Sequence, residues 1–520
     1  MIKGALFDID DTLYSHDNHM VPKGTLRALD KLREKGIKIG VCTSRVAAEM
    51  ANIPKELWDR IDCKIVGTGA TTIVEGEYIK SYTIDPEDAK KYTDYFHEHK
   101  ISYHYTDING DVYYWGDLSV VNEGQMLRYA LGNVKFKEFE DELVTNLFYY
   151  QAKDEECKEI AKINPEALIS RWGNSGNICT PLVDKSFGLL KFCQVYSFTT
   201  DEVVAAGDGI NDDVMLEMAG IGIAVSDALE NTKAKADYIC KKSIEDGGLY
   251  DAFVDLGIIE EDDLKMKMFV FDNDGTLFDH DCGGIHEKTF LALDQLKEKG
   301  YKLVLNTSRS LEEMKNIPQR LIDMMDAIIL VNGAYIIQDK KVYITYLDDE
   351  TVKKLIPFFE ENDVTYRYTT DDGRSYLNKN NDYKYFFKDL YDMIPEIKPY
   401  EGERVLQFFY YATGDLREQI ISLAGNCECS RLITAGEIAP AGKNKGLSTL
   451  EVAERYGFRR EEVIAFGDSG NDIEMMEKAG YSIAVGNGTR ECRAAADYVT
   501  DDIKEEGVYN ALKHFGFIEG

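Results

Sequence analysis

Two carboxylates two residues apart, Asp8 and Asp10, follow a short apolar run. Thr43-Ser44-Arg45 follow a second such run, and a single Lys185 and the stretch Gly207-Asp208-Gly209-Ile210-Asn211-Asp212 come much later. The whole set returns as Asp272 and Asp274, Thr307-Ser308-Arg309, Lys445, and Gly467-Asp468-Ser469-Gly470-Asn471-Asp472. The offset is 264 residues for the first two parts and 260 for the last two, so a whole domain is duplicated with its chemistry. Four carboxylates converging on one point stay ionised together only beside a divalent cation, and an all-oxygen set favours Mg²⁺. The expected metal-binding carboxylates are Asp8, Asp10, Asp208 and Asp212, and in the second copy Asp272, Asp274, Asp468 and Asp472. A carboxylate beside bound Mg²⁺ and a positioned phosphoryl group is a competent nucleophile, which gives Asp8 and Asp272 an aspartyl-phosphate role. Asp10 and Asp274 are then acid and base in turn. Thr43 and Thr307 close strands, and Ser44-Arg45 and Ser308-Arg309 open the next helix, where hydroxyl and backbone N–H groups face a phosphate oxygen. Lys185 and Lys445 offset the charge of the transition state. Asn211 and Asn471, with the acid that follows each, hold ligands, water or the lysine in place.

The elements that position these groups are legible as alternating patterns. Short apolar runs at 5–7, 37–42, 63–66, 203–206 and 221–225 alternate with helical patterns at 25–35 and 212–219, which predicts a parallel, doubly wound α/β sheet. Ligands of such sheets bind beyond the carboxyl ends of the strands, where Asp8 and Asp208 fall. Between the second and third motifs the texture changes to a helix-like 86–99 and Tyr/Thr-rich alternation, read as an inserted α+β cap over 83–172 and, in copy two, 346–431. The acidic stretch at 260–263 is the natural linker, giving domains 1–261 and 262–520. Tyr103 and Tyr105 share one strand face and are expected to pack on cap helices, whereas His104 and Trp115 take no assigned role. Ser170-Arg171 and Ser430-Arg431 are read on a strand leading back to the core, with the arginine reaching substrate or pairing with a surface acid.

Sixty basic against 93 acidic residues give a net charge of −33, which opposes nucleic acid and anionic membrane surfaces as partners. No apolar run approaches the roughly 20 residues that span a bilayer, and the N-terminus lacks a signal-peptide pattern, so a cytoplasmic protein is expected. Cysteines scattered in apolar segments fit a reducing compartment, and Cys427-x-Cys429 has no second pair to complete a metal site.

With Asp-x-Asp-x-Thr-Leu after a strand, Thr-x-Arg after the next, a late Lys and Gly-Asp-x-x-Asn-Asp, both halves resemble the haloacid dehalogenase superfamily of phosphohydrolases. The Cof-type or IIB branch is the nearer likeness. The resemblance implies a Mg²⁺-dependent phosphatase, a phosphoric monoester hydrolase of small phosphorylated metabolites such as sugar or cofactor phosphates, with a cap that sets specificity. It places the metal on the nucleophile, the carbonyl of the second Asp and the first Asp of the fourth motif, and adds Asn332 as a substrate contact. Copy one departs from it with Thr68 in place of Asn332 and Asp227 in place of Asn487, and carries Asp11 where copy two has Gly275. Unequal sites are therefore expected, the first binding common phosphosugars less well or preferring a substrate that carries less negative charge. Two other readings stand beside this one: a phosphosugar mutase using the same nucleophile, and one half acting as a non-catalytic metabolite-binding module.

Overall fold

The computed structural model describes residues 1–117, 119, 135–181, 183–380, 383–431 and 434–520. Residues 118 and 120–134 of the expected first cap, and 381–382 of the second, lie outside the described residues. The chain divides into two compact units, Met1–Glu261 and Asp262–Gly520.

In the first unit, eight strands run in the order 238–239, 221–224, 203–207, 4–7, 38–42, 63–66, 71–74 and 77–81. Pairing is parallel from the first of these to Cys63–Val66, and the last two strands add an antiparallel hairpin at one edge. Parallel strands are buried on both faces, and the packing shows it. Ala5, Phe7, Ile39 and Val41 point into one layer with Leu29, Leu32 and Phe253, while Leu6, Cys42 and Ile65 point into the other with Leu189 and Phe192. The second unit repeats this order with 498–499, 481–484, 463–467, 268–271, 302–306, 327–330, 335–338 and 341–344.

Among the described residues each cap is a six-stranded sheet, ordered 168–172, 175–179, 144–149, 103–107, 112–115 and 135–136 in the first unit. Helices Pro86–His99 and Asp154–Ile163 cover one face, burying Tyr92, Phe96 and Ile160 against Tyr103, Tyr105, Leu147 and Tyr149. Trp115 joins them, its ring 5.5 Å from that of Tyr103. The alternation that turns those tyrosines inward turns His104, Val112 and Phe148 to the opposite face, where Val112 and Phe148 pack on Val46 of the core. The cap runs further than its sequence texture indicates. Ser170-Arg171 lie on the edge strand Leu168–Trp172, and it is the next strand, Ser175–Cys179, that leads back to the core. Its counterpart is Gly436–Ala439. These short runs are mixed in polarity, and only antiparallel pairing with the long strands 144–149 and 405–411 makes them strands.

Candidate active site

Asp8 and Asp272 stand one residue past the central strands Gly4–Phe7 and Met268–Phe271, and each is nearly fully buried. Lys185 and Lys445 open helices whose first turns are capped by Asp184 and Asn444, accepting from the backbone N–H of Phe187 and Leu447. The caps aim the lysine inward. Lys185 Nζ lies 2.7 Å from Asp8 Oδ1 and 2.6 Å from Asp212 Oδ1, and Lys445 Nζ lies 2.5 Å from Asp272 Oδ1 and 2.7 Å from Asp472 Oδ1. Asp8, Asp208 and Asp212 bring carboxylate oxygens within 4.8 Å of one another, as do Asp272, Asp468 and Asp472.

One buried lysine does not balance two buried carboxylates and a half-buried third. Burial, and after it the Asp212 charge, pushes the Asp208 carboxyl up to about 7; burial and Asp472 do the same to Asp468, also about 7. Burial likewise raises Asp8 and Asp272 well above the carboxylate range against the pull of the lysine. Such a donor set, all oxygen and short of positive charge, fits a hard divalent cation. Thr12 and Thr276, which the sequence reading left without a role, donate to Asp208 Oδ1 at 3.4 Å and Asp468 Oδ1 at 2.9 Å. Gly275 has φ +86°, and a Cβ there would meet the Asp468 carboxylate at 2.4 Å.

Asp212 and Asp472, expected among the metal ligands, have both oxygens engaged. The second oxygen of Asp212 accepts the N–H of Asp208 at 3.1 Å and of Gly209 at 3.0 Å, and Asp472 does the same for Asp468 and Ser469. These two carboxylates anchor the lysine and the loop.

Arg45 and Arg309, expected to meet substrate, are both buried and turned back onto the second Asp of the motif. Arg45 donates to Asp10 from Nε and Nη2 at 2.9 and 2.6 Å, and its Nη1 donates to Glu49 O and Asn52 Oδ1. Arg309 grips Asp274, Glu313 O and Asn316 in the same way. His16 and His280 complete the clamp, with Nε2 2.5 Å from Asp10 Oδ1 and 2.9 Å from Asp274 Oδ1. Burial opposes ionisation, but the hydrogen bonds from His16 and Arg45 hold the Asp10 carboxyl far below its usual range, and Arg309 and His280 do so for Asp274. Thr43 and Thr307 are buried and accept the N–H of Arg45 and Arg309, fixing the turn. That turn leads into 3₁₀ segments, Ala47–Met50 and Glu312–Asn316, rather than an α-helix.

Ser44 and Ser308 are partly exposed, and Asn211 donates to Ser44 Oγ at 3.0 Å. In the second unit a cavity of about 410 Å³ opens between cap and core, lined by Asn332, Ser430, Glu437, Lys445, Ser469 and Asn471. Asn332 donates to Glu437 Oε2 at 2.9 Å. In the first unit Thr68 takes the place of Asn332 and Asn177, across the sheet from Ser170, that of Glu437. Asn487 only ties the loop, donating to Gly275 O and accepting from Ile503 N, and Asp227 is exposed. Arg171 and Arg431 pair with the surface acids Asp154 and Glu418.

A further contact joins cap to core behind the clamp. In the second unit Arg367 ion-pairs with Glu313, both buried. In the first unit His104 Nε2 lies 3.7 Å from Glu49 Oε1, and burial alone pushes His104 down to about 3. Burial also lifts Glu49 to about 8 against the N–H of Val46 and the charge of Arg45. A carboxyl with a raised folded-state pKa binds more protons folded than unfolded, so its contribution falls as pH rises from the ordinary value towards 8. Glu49→Gln keeps an acceptor for Val46 N–H and removes the ionisation. In hydrogen exchange followed by mass spectrometry, the variant's first unit should lose less protection than the wild type between pH 5 and 8. Parallel profiles would refute a neutral Glu49.

The sequence model for haloacid dehalogenase-like hydrolases matches the chain twice, over residues 5–253 and 269–512. A 5-amino-6-(5-phospho-D-ribitylamino)uracil phosphatase of Bacillus subtilis is 28% identical over 269 residues, 49% of this chain and 98% of its own. An HMP-PP phosphatase of Klebsiella pneumoniae is 27% identical over 268 residues, 48% of this chain and 95% of its own. Among solved structures, a sugar phosphatase of HAD subclass IIB is 28% identical, with 49% of this chain and 100% of the other covered and a TM-score of 0.45. Among the described residues no helix is long and apolar enough to cross a membrane.

Proposed function

The chain belongs, in both halves, to the haloacid dehalogenase-like hydrolases, and from that premise we propose that each half is a Mg²⁺-dependent phosphatase working through an aspartyl-phosphate on a small phosphorylated metabolite. The observation that carries the reading is the buried Asp8–Lys185–Asp212 cluster with Asp208 beside it, charge-deficient and built twice. Asp8 and Asp208, with Asp272 and Asp468 in the second half, would hold the ion, which when bound offsets the carboxylate and phosphate charge. Phosphorylated sugars or cofactors are the proposed substrates, since the related phosphatases named above act on a phosphoribityl compound and on HMP-PP.

The residues then divide the work. Asp8 attacks phosphorus, and the bond to the leaving oxygen breaks. Lys185, held by Asp212, stays charged and balances the nucleophile and the incoming phosphoryl oxygens. The leaving oxygen takes a proton from Asp10. Water then attacks the phosphorus of the aspartyl-phosphate, giving its proton to Asp10, and the bond to Asp8 breaks to release phosphate. The clamp of Arg45 and His16 holds Asp10 in its basic form, suited to the second step, so protonation for the first step requires one clamp contact to yield.

Metal removal tests the reading. EDTA should abolish phosphate release from a panel of phosphorylated sugars and cofactors, and added Mg²⁺ should restore it. Full turnover in metal-free buffer, or no release from any member with Mg²⁺ present, would refute the proposal.

A further inference from the structure

In the second unit the chain leaving Asp274 folds into a tight hairpin turn, closed by reciprocal backbone bonds between Asp279 and Gly284 at 2.8 and 3.1 Å. Three ligand types meet there: the buried carboxylate of Asp279, the exposed thiol of Cys282 and the partly buried imidazole of His286, with ligating atoms all within 4.8 Å of one another. His286 Nε2 is 3.0 Å from Asp279 Oδ2. Two ligands on a tetrahedral ion with bonds of about 2.0–2.1 Å stand about 3.3 Å apart, so this pair is close to the edge length already. A hydrogen-bonded His–Asp pair accounts for two of the three side chains, and the third, the exposed thiol, donates to backbone carbonyls of the turn. Cys282 Sγ sits over the turn, 3.6 Å from Asp279 O and 3.8 Å from Gly284 O, on the side where the other two ligands lie.

The first unit supplies a control within the same chain. The same turn, closed there by Ser15 and Met20, carries Ser15, Asn18 and Pro22 at the three positions, so the fold needs none of the ligands. That turn is fastened differently, Ser15 Oγ donating to Glu245 at 2.6 Å. In the second unit Lys504 stands where Glu245 would be and pairs with Asp281 at 2.5 Å, so the fastening through position 279 is gone.

We propose that Asp279, Cys282 and His286 form a Zn²⁺ site, three protein ligands with the fourth position open to solvent. Thiolate and imidazole select a borderline-soft ion over Mg²⁺, and one oxygen, one nitrogen and one sulfur suit tetrahedral Zn²⁺. Binding replaces the S–H bond by S–Zn and passes the thiol proton to solvent. The ion fastens the turn in place of the missing contact. It also fixes the segment bearing His280, whose Nε2 lies 2.9 Å from Asp274 Oδ1, and so makes this clamp metal-responsive in the second unit alone. The site stands or falls independently of the phosphatase reading.

Cobalt, which reports thiolate ligation by its charge-transfer absorption, is the probe. The reduced full chain in Mg²⁺ buffer should develop that band to saturation at one equivalent of Co²⁺ and lose it on addition of Zn²⁺. Cys282→Ser, at an exposed position, should abolish the band, and His286→Ala should weaken binding at least about 10-fold. Cys427→Ser and Cys429→Ser should leave it unchanged. One equivalent of Zn²⁺ should also slow alkylation of Cys282 in the wild type but not in His286→Ala. Absence of the band at one equivalent, its survival in Cys282→Ser, or equal alkylation with and without Zn²⁺ would overturn the site.

Discussion

Asp272→Asn is expected to lower phosphate release from the second site on the order of 10⁴-fold or more, because the amide cannot form the acyl phosphate and the other carboxylate on Lys445, Asp472, is held by the loop N–H groups. Asp8→Asn should do the same to the first, so each variant displays the substrate profile of the surviving site. The profiles should differ. The second cavity is lined by the Glu437 carboxylate, held by Asn332, whereas Asn177 and Thr68 stand at the matching positions of the first unit. A buried carboxylate accepts hydrogen bonds from hydroxyl or amino groups and repels a second anionic group. The expectation from sequence placed extra negative charge at the first site through Asp11 and Asp227; the Asp11 charge does act on Asp208, whereas Asp227 is exposed, and the second cavity carries Glu437 together with Glu428 and Glu474. The second site should favour substrates with one phosphate and several donors, and the first should tolerate more negative charge. Steady-state kinetics of the two variants over one panel decide this, and coincident kcat/KM profiles would refute it.

The fold was legible because its signals are local. Apolar runs three to six residues long, each followed by a polar turn, mark strands whichever sheet they join, and the amphipathic stretch 25–35 becomes helix Lys23–Glu34. Asp8, Lys185 and Asp208 were legible as a set because the charge they bring together makes chemical sense only at one point, and the set occurs twice. The hold on Arg45 was not legible because it depends on residues that a spacing rule does not connect to it. A guanidinium after Thr-Ser reads as a phosphate ligand until Glu49 O, Asn52 and Asp10 are seen to consume its donors. One signal was present: Asn52-Ile-Pro54 recurs as Asn316-Ile-Pro318 with no chemistry of its own, and a polar residue repeated without a role is a candidate for holding another in place. The cap boundary was lost for a different reason. Ser175–Cys179 is a strand by virtue of its neighbours, and no periodicity within five residues reports that.

Lys445→Met should show how much of the second unit's stability rests on one charge. Lys445 is buried and lies between Asp272 and Asp472, so its removal leaves two buried carboxylates facing each other. Breaking a buried pair by deleting one partner costs about 3–5 kcal/mol, and for a unit of this size that lowers the unfolding temperature on the order of 10 °C. Activity of the second site, read in an Asp8→Asn background, should vanish with it. Two further measurements separate charge from packing. Saturating Mg²⁺ should return part of the lost stability, because a cation beside Asp272 and Asp468 offsets the same excess charge. Lys445→Met/Asp472→Asn should return part without any metal, because one of the stranded carboxylates is now neutral. A cavity or a packing fault left by the shorter, uncharged side chain would respond to neither. An unchanged unfolding temperature in Lys445→Met would mean that the carboxylates simply take up protons at little cost, and the argument that this site is short of positive charge would fail with it.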